Sequence, residues 1–261
     1  MAPHRIYVYC IINAPADINE TAGHQRIYSI PWRDHAAIVA DLDAPVAPHE
    51  HMPAWALTHE QVVELMMQRF TVLPMRLLTV VADRAAVQAL LQEHDDEFNA
   101  NFSRLAHKAE YGLKVLWPAE QIKERLRRDS ATAAVDESTA AVSPAARYMK
   151  NKFAAYTAEQ AFQKEAGQHI AALDAFFSGV AVEKKLVQLP TEKMLLNAAY
   201  LVEQCRQPDI ALAFAAMKQA HPDLVYQFSG PWPPYNFIVM AKKAPTDAGA
   251  GMAAVLNKLL A

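Results

Sequence analysis

Apolar and polar positions along the chain alternate between short strand-like runs and longer helical stripes. Residues 6–12 form an unbroken β-branched and aromatic run bounded by Arg5 and by Asn13 and Pro15, which predicts a buried strand. Residues 25–30 and 36–42 predict two more, separated by Pro31 and Asp34. Residues 43–56, dense in Pro and His, predict a loop. Thr58 and Gln61 have capping-box spacing, ahead of a helical stripe made by Val62, Val63, Leu65, Met66 and Phe70. Residues 73–82 read as strand. Asp83 then caps a longer helix carrying Val87, Leu90, Leu91, Phe98, Phe102 and Leu105, and residues 111–117 return to strand. Residues 1–129 therefore predict a β-β-β-α-β-α-β unit that closes near Pro118 with a short helix.

Residues 130–142 hold no large apolar side chain except Val, so burial there cannot offset the entropy of ordering; the span 130–143 is the predicted linker. Ser143 and Pro144 suit the N-cap and first position of a long helix running to about residue 177, where Ser178 and Gly179 end it. Strands follow at 181–189 and 194–202, a helix at 209–220 and a strand at 224–228. A Pro/aromatic turn at 229–235, a short strand at 237–240 and a terminal helix at 251–260 complete the reading. The fold class is α+β, with one unit over 1–129 and a second over 144–261 that includes a C-terminal tail.

Composition narrows the chemistry. A chain of 261 residues makes one large domain or two small ones. None of its seven glycines falls in a phosphate-cradling pattern, and no apolar run reaches the roughly 18 residues that span a membrane. Lys and Arg total 25 against 28 Asp and Glu, so no basic surplus points to nucleic acid. The one basic cluster, Lys123, Arg125, Arg127 and Arg128, is interleaved with Glu124 and followed by Asp129, as on a solvated helix face. Cys10 and Cys205 form no C-x-x-C pair; both are expected as buried, reduced thiols of a cytoplasmic protein without a signal peptide.

Metal-type residues are densest at His49, Glu50, His51, His59 and Glu60, but Pro45, Pro48 and Pro53 favour a loop, and Val63 stands where a zincin helix needs its second His. Solvated loop histidines are expected; a metal-dependent hydrolase using His49, His51 and His59 is the alternative. Asp95, Asp96 and Glu97 are consecutive on a helix and point apart. No nucleophile motif is present, so no enzyme and no cofactor is expected. Two segments stand out. Arg76 is a lone charge in the apolar run 72–79 and must be paired or turned outward. Residues 230–237 combine three prolines with Trp232, Tyr235 and Phe237 in a stiff corner that caps the core or presents an apolar surface.

Taken together, the motifs resemble the gas vesicle protein F/L family. They run in order: Tyr7-Val8-Tyr9, Ala37-Ile38-Val39-Ala40, His59-Glu60 with Val62-Val63-Glu64, Val72-Leu73-Pro74-Met75-Arg76 through Thr79, Glu110, and Lys114 to Trp117. Tyr148-Met149-Lys150-Asn151-Lys152 and Gly230-Pro231-Trp232-Pro233-Pro234-Tyr235-Asn236-Phe237 complete the series. The chain departs from the family pattern at Cys10, where Gly is usual, at Leu77-Leu78 in place of Phe-Gly, and at Asn151 within a run of lysines. The resemblance implies two α+β domains, the second ferredoxin-like, joined through a linker and long helix. It also implies a non-catalytic accessory role in building gas vesicles, with the hydrophobic shell protein A and other accessory proteins as partners, and neither nucleic acid nor membrane. A scaffold that binds only other accessory proteins is the further alternative. Arg76, Tyr148, Lys150, Lys152, Trp232 and Tyr235 are the candidate partner-binding residues.

Overall fold

A computed structural model describes residues 5–42, 52–135, 143–187 and 191–240. The chain opens with β1 (Arg5–Ile12), β2 (Asn19–Ala22), β3 (Gln25–Trp32) and β4 (His35–Leu42), followed by α1 (Met52–Met67), β5 (Val72–Pro74) and β6 (Val80–Val81). The first sheet is antiparallel, in the order β2-β3-β4-β1-β5, with β6 also on β1. Every residue of β1 after Arg5 is buried because both faces are covered. Ile6, Val8 and Ile11 enter one core; Tyr7, Tyr9, Cys10 and Ile12 enter another, beneath α1. A register shift between Val8 and Cys10 turns Tyr9 and Cys10 to the same side.

Three local expectations are corrected here. Helix α1 starts at Met52 rather than after Thr58: Pro53 occupies its first turn, where a missing N–H costs nothing, and the Thr58 hydroxyl donates to the Ala54 carbonyl at 3.0 Å. The strand expected over 73–82 is two short pieces, β5 and β6, separated by a turn in which Leu78 takes φ 64°. The long helix after Asp83 is α2 (Arg84–Glu93) and α3 (Asp95–Leu105), broken at His94; Asp83 does cap α2, accepting the Ala86 N–H at 2.8 Å.

After α3 come β7 (Lys108–Leu116), α4 (Ala119–Val135), α5 (Pro144–Ala175), β8 (Glu183–Leu186), β9 (Met194–Glu203), α6 (Gln207–Ala220) and β10 (Val225–Trp232). The second sheet is antiparallel in the order β10-β7-β9-β8. Strand β7 lies inside it, although its residues fall in the span that the sequence pattern assigns to the N-terminal unit. Residues 1–129 and 144–261 therefore share one sheet, and the α4–α5 hairpin is its crossover from β7 to β8. The hairpin is fastened by Arg125, whose guanidinium donates to Glu165 at 2.6 and 2.7 Å. Helix α4 runs to Val135, into the expected linker, because Ala131, Ala133 and Ala134 favour helix strongly; residues 136–142 lie outside the described residues. A short 3-10 turn, Tyr235–Phe237, replaces the strand expected at 237–240, and the terminal helix expected at 251–260 lies outside the described residues.

The two sheets are joined through a common core. Ile6, Val8 and Ile11 of the first meet Phe98, Phe102 and Leu105 of α3, and the same cluster takes in Ala199 and Leu201 of β9 together with Phe237. Among the described residues, no helix is long and apolar enough to cross a membrane. Cys10 is buried as expected, but Cys205 is exposed, since it falls in a 3-10 turn at the end of β9 rather than within the strand.

Candidate functional site

The Pro/aromatic corner is built around Gly230. Its φ is 123°, and a Cβ there would stand 2.7 Å from the Glu110 carbonyl and 2.9 Å from the Tyr111 ring, so only Gly fits. The peptide bond from Gly230 to Pro231 is cis. The chain then turns back over β7, where Glu110 is buried. One carboxylate oxygen of Glu110 accepts the Asn236 backbone N–H at 2.8 Å, and the other accepts the Asn236 side-chain amide. Burial raises the Glu110 carboxyl above its ordinary range, opposed by both Asn236 hydrogen bonds and by Lys185.

Three further side chains fasten the same segment. Lys185 of β8 donates to the Asn236 carbonyl at 2.6 Å, with its ammonium 5.6 Å from the Phe237 ring centre. Arg104 of α3 donates to the Phe237 carbonyl and to Glu183 at 2.6 Å. Asn101 closes a two-way clamp on Val239, donating to its carbonyl at 2.7 Å and accepting its N–H at 2.9 Å. Phe237 is fully buried. The corner thus works chiefly as a bolt between the sheets. Sequence reasoning singles out its aromatic residues but not Asn101, Arg104, Lys185 or the role of Glu110. Glu110 and Asn236 both stand in the family motifs, and a buried carboxylate with an amide partner is the signal available there.

A second buried polar group lies between β1 and α1. The Tyr7 hydroxyl accepts the Leu78 N–H at 3.0 Å and sits 2.9 Å from His59 Nδ1, while its ring stacks on Trp55 at 5.5 Å. Tyr7 and His59 thus share one hydrogen bond inside the core. Burial pushes the His59 pKa down to about 4, against a smaller opposite pull from the Met75 backbone. His59 is therefore a core residue and not a solvated loop histidine. His49 and His51 lie outside the described residues, and among those described no group of three or more His, Cys, Asp or Glu is placed to hold a metal ion.

The six candidate residues fall into three separate groups. Arg76 is exposed on the turn between β5 and β6, which answers the cost of its charge. Trp232 is half-buried at the end of β10 opposite Glu110. Tyr235 is 40% exposed, yet its hydroxyl is raised well above an ordinary phenol, first by burial and then by Cys10, Glu60, Tyr7 and Glu64. Tyr148, Lys150 and Lys152 are all exposed on the first half of α5. Among the described residues, no hydrogen bond, ion pair or ring contact joins these three groups.

The α5 group has neighbours that the candidate set lacks. Met149, Phe153 and Tyr156, spaced i, i+4 and i+7, are 63%, 72% and 63% exposed, and Tyr148 beside them is 65% exposed. Met149, Phe153 and Tyr156 thus form one exposed apolar stripe on a face of α5, and Tyr148 and Lys152 lie around the helix from it. The opposite face of α5 is the packed one, through Ala158, Phe162 and Leu173.

These features define an α+β protein of two bolted antiparallel sheets whose conspicuous exposed feature is an apolar helix stripe. The chain belongs to the gas vesicle synthesis protein GvpL/GvpF family, whose model matches residues 5–239. It is similar to gas vesicle protein F2 of Halobacterium salinarum, with 23% identity over 91% of this chain and 94% of that one. It is similar also to gas vesicle proteins F and L of a Streptomyces species, each 27% identical, over 78% and 72% of this chain and 84% and 70% of theirs. In fold it is similar to the crystal structure of GvpF from an Anabaena species, with a TM-score of 0.76 at 19% identity, covering 91% of this chain and 99% of that one. GvpF from Microcystis aeruginosa gives 0.71 at 17% identity, covering 90% and 99%.

Proposed function

We propose that this protein is a non-catalytic accessory factor of gas vesicle assembly in the cytoplasm, and that it holds the hydrophobic shell protein A before that subunit joins the wall. The observation that carries the reading is the exposed apolar start of α5, the stripe of Met149, Phe153 and Tyr156 with Tyr148 around the helix from it, four large side chains each more than 60% exposed on a protein of a gas vesicle family. Contiguous exposed apolar surface marks a binding site or an aggregation hazard. A subunit destined to line a gas space carries apolar surface of its own, and covering it against the stripe removes both surfaces from water at about 25 cal/mol per Å². Lys150 and Lys152 beside the stripe add orientation through charge, and no cofactor is needed. Other accessory proteins of the vesicle are the further partners in this reading.

The test is capture of purified shell protein A by this chain and by a double variant, Phe153→Glu with Tyr156→Glu, at matched circular dichroism. Capture by the parent and at least a tenfold loss in the variant support the reading. Equal capture by both removes the stripe from it. Capture of other accessory proteins with none of shell protein A turns the protein into a scaffold. Raised salt separates the two contributions: the part due to Lys150 and Lys152 weakens as exposed charges are screened, whereas apolar burial does not.

A further inference from the structure

Sheet edges expose unpaired backbone donors and acceptors, and proteins blunt them with short strands, charges, prolines or bulges. This protein follows the rule at three of its edges. Strand β2 is four residues long and carries Glu20. Strands β5 and β6 are three and two residues long, and β5 ends on Pro74. Strand β8 is four residues long and carries Glu183, Lys184 and Lys185.

Strand β10 departs from the rule over Val225–Ser229: these five residues carry no charge and no proline and none is buried, while Pro231 and the register shift come only at the end of the strand. One edge pairs with β7 from Val225 to Ser229 and again at Trp232, and the other pairs with no described strand. We infer that the free edge of β10 pairs antiparallel with the β10 of a second copy of this chain, about a two-fold axis near Gln227, so that two four-stranded sheets become one.

The composition of the strand suits its own copy. An antiparallel strand pairs with itself around a two-fold axis, and any charge near the centre would then face its like. Here the centre is Gln227, whose amide both donates and accepts and so complements its two-fold mate. Tyr226 and Phe228 point to the face where Phe214 of α6 lies; Phe214 stacks on Phe228 at 4.4 Å and meets Tyr226 edge-on at 6.0 Å. Pairing would continue that aromatic layer from one copy into the next. The ladder with β7 is interrupted at Gly230 and Pro231 and resumes at Trp232 opposite Glu110.

Sedimentation velocity on the full chain decides the matter. The parent is expected to sediment with the mass of two chains, and Gln227→Lys, which sets two ammonium groups face to face, with the mass of one at unchanged circular dichroism. A parent that stays at one chain over about a hundredfold range of concentration overturns the inference, as does a folded Gln227→Lys variant that remains paired. Hydrogen exchange on the parent needs no variant: amide protection over residues 225–229 is expected to rise with concentration, and a flat profile there also overturns the inference.

Discussion

The carboxylate of Glu110 and both the backbone and side-chain N–H of Asn236 meet across 126 residues of sequence, in a contact that closes the Pro/aromatic corner onto the middle of the second sheet. Glu110 is buried, so Asn236→Ala leaves one of its carboxylate oxygens without its amide donor, while Glu110→Ala unties both the side chain and the backbone N–H of Asn236 from β7. Glu110→Ala and Asn236→Ala are each expected to cost about 2–3 kcal/mol in urea unfolding. Their double variant should cost clearly less than the sum, since the pair is in direct contact. Additive losses would mean that the two residues act separately.

Two glycines give opposite expectations for the same substitution. Gly230→Ala meets backbone at 2.7 Å in a left-handed conformation and should lose about 3 kcal/mol or more. Gly167 lies inside α5 with nothing within 4 Å of the point where a methyl carbon would stand, so Gly167→Ala should gain about 1 kcal/mol. Thermal melts of the two variants beside the parent check both signs.

His59 links stability to pH. Its pKa falls from an ordinary 6.5 to about 4 on folding, so the unfolded chain binds the proton first. The contribution is complete above about pH 6.5 and is lost as pH falls toward 4, for a total of roughly 3 kcal/mol. Urea midpoints measured between pH 7 and pH 4.5 should drop more steeply for the parent than for His59→Gln.

Phe237 belongs to the core shared by both sheets. Phe237→Ala is expected to cost about 3–5 kcal/mol. Because β1, α3 and β9 all contact the same cluster, the variant should still unfold in one transition, with tryptophan fluorescence and far-UV circular dichroism coinciding. Separate transitions would show that the sheets fold independently.

Patterns within single elements are legible in the sequence: β1, β3, β4, α5 and α6 lie close to where apolar runs and caps place them. Breaks inside continuous patterns are not. The apolar spacing from Val87 to Leu105 runs unbroken through His94, so nothing in the period marks the end of α2. Leu78 adopts a left-handed conformation that a β-like run of Leu, Thr and Val conceals; the departure from Gly at that position is the available clue. Strand β2, Asn-Glu-Thr-Ala, is held by its neighbour β3 and carries no signal of its own. Which sheet a strand joins depends on partners far away in sequence, which is why the pattern alone groups β7 with the segment before it. The same limit hides the bolt at the corner: Asn101, Arg104 and Lys185 are ordinary surface-type residues until the fold brings Phe237 beside them.

The position of β7 makes the two ends of the chain hostage to each other. A strand made before the α4–α5 hairpin is flanked on both sides by strands made after it. Synthesis therefore leaves β7 with two open edges until β9 and then β10 emerge, and the corner cannot lock until the last of these is in place. Cutting the chain between α4 and α5 would leave two pieces interleaved in one sheet, each lacking what the other holds. Expressed apart they lack a complete sheet; expressed together they have the means to rebuild it.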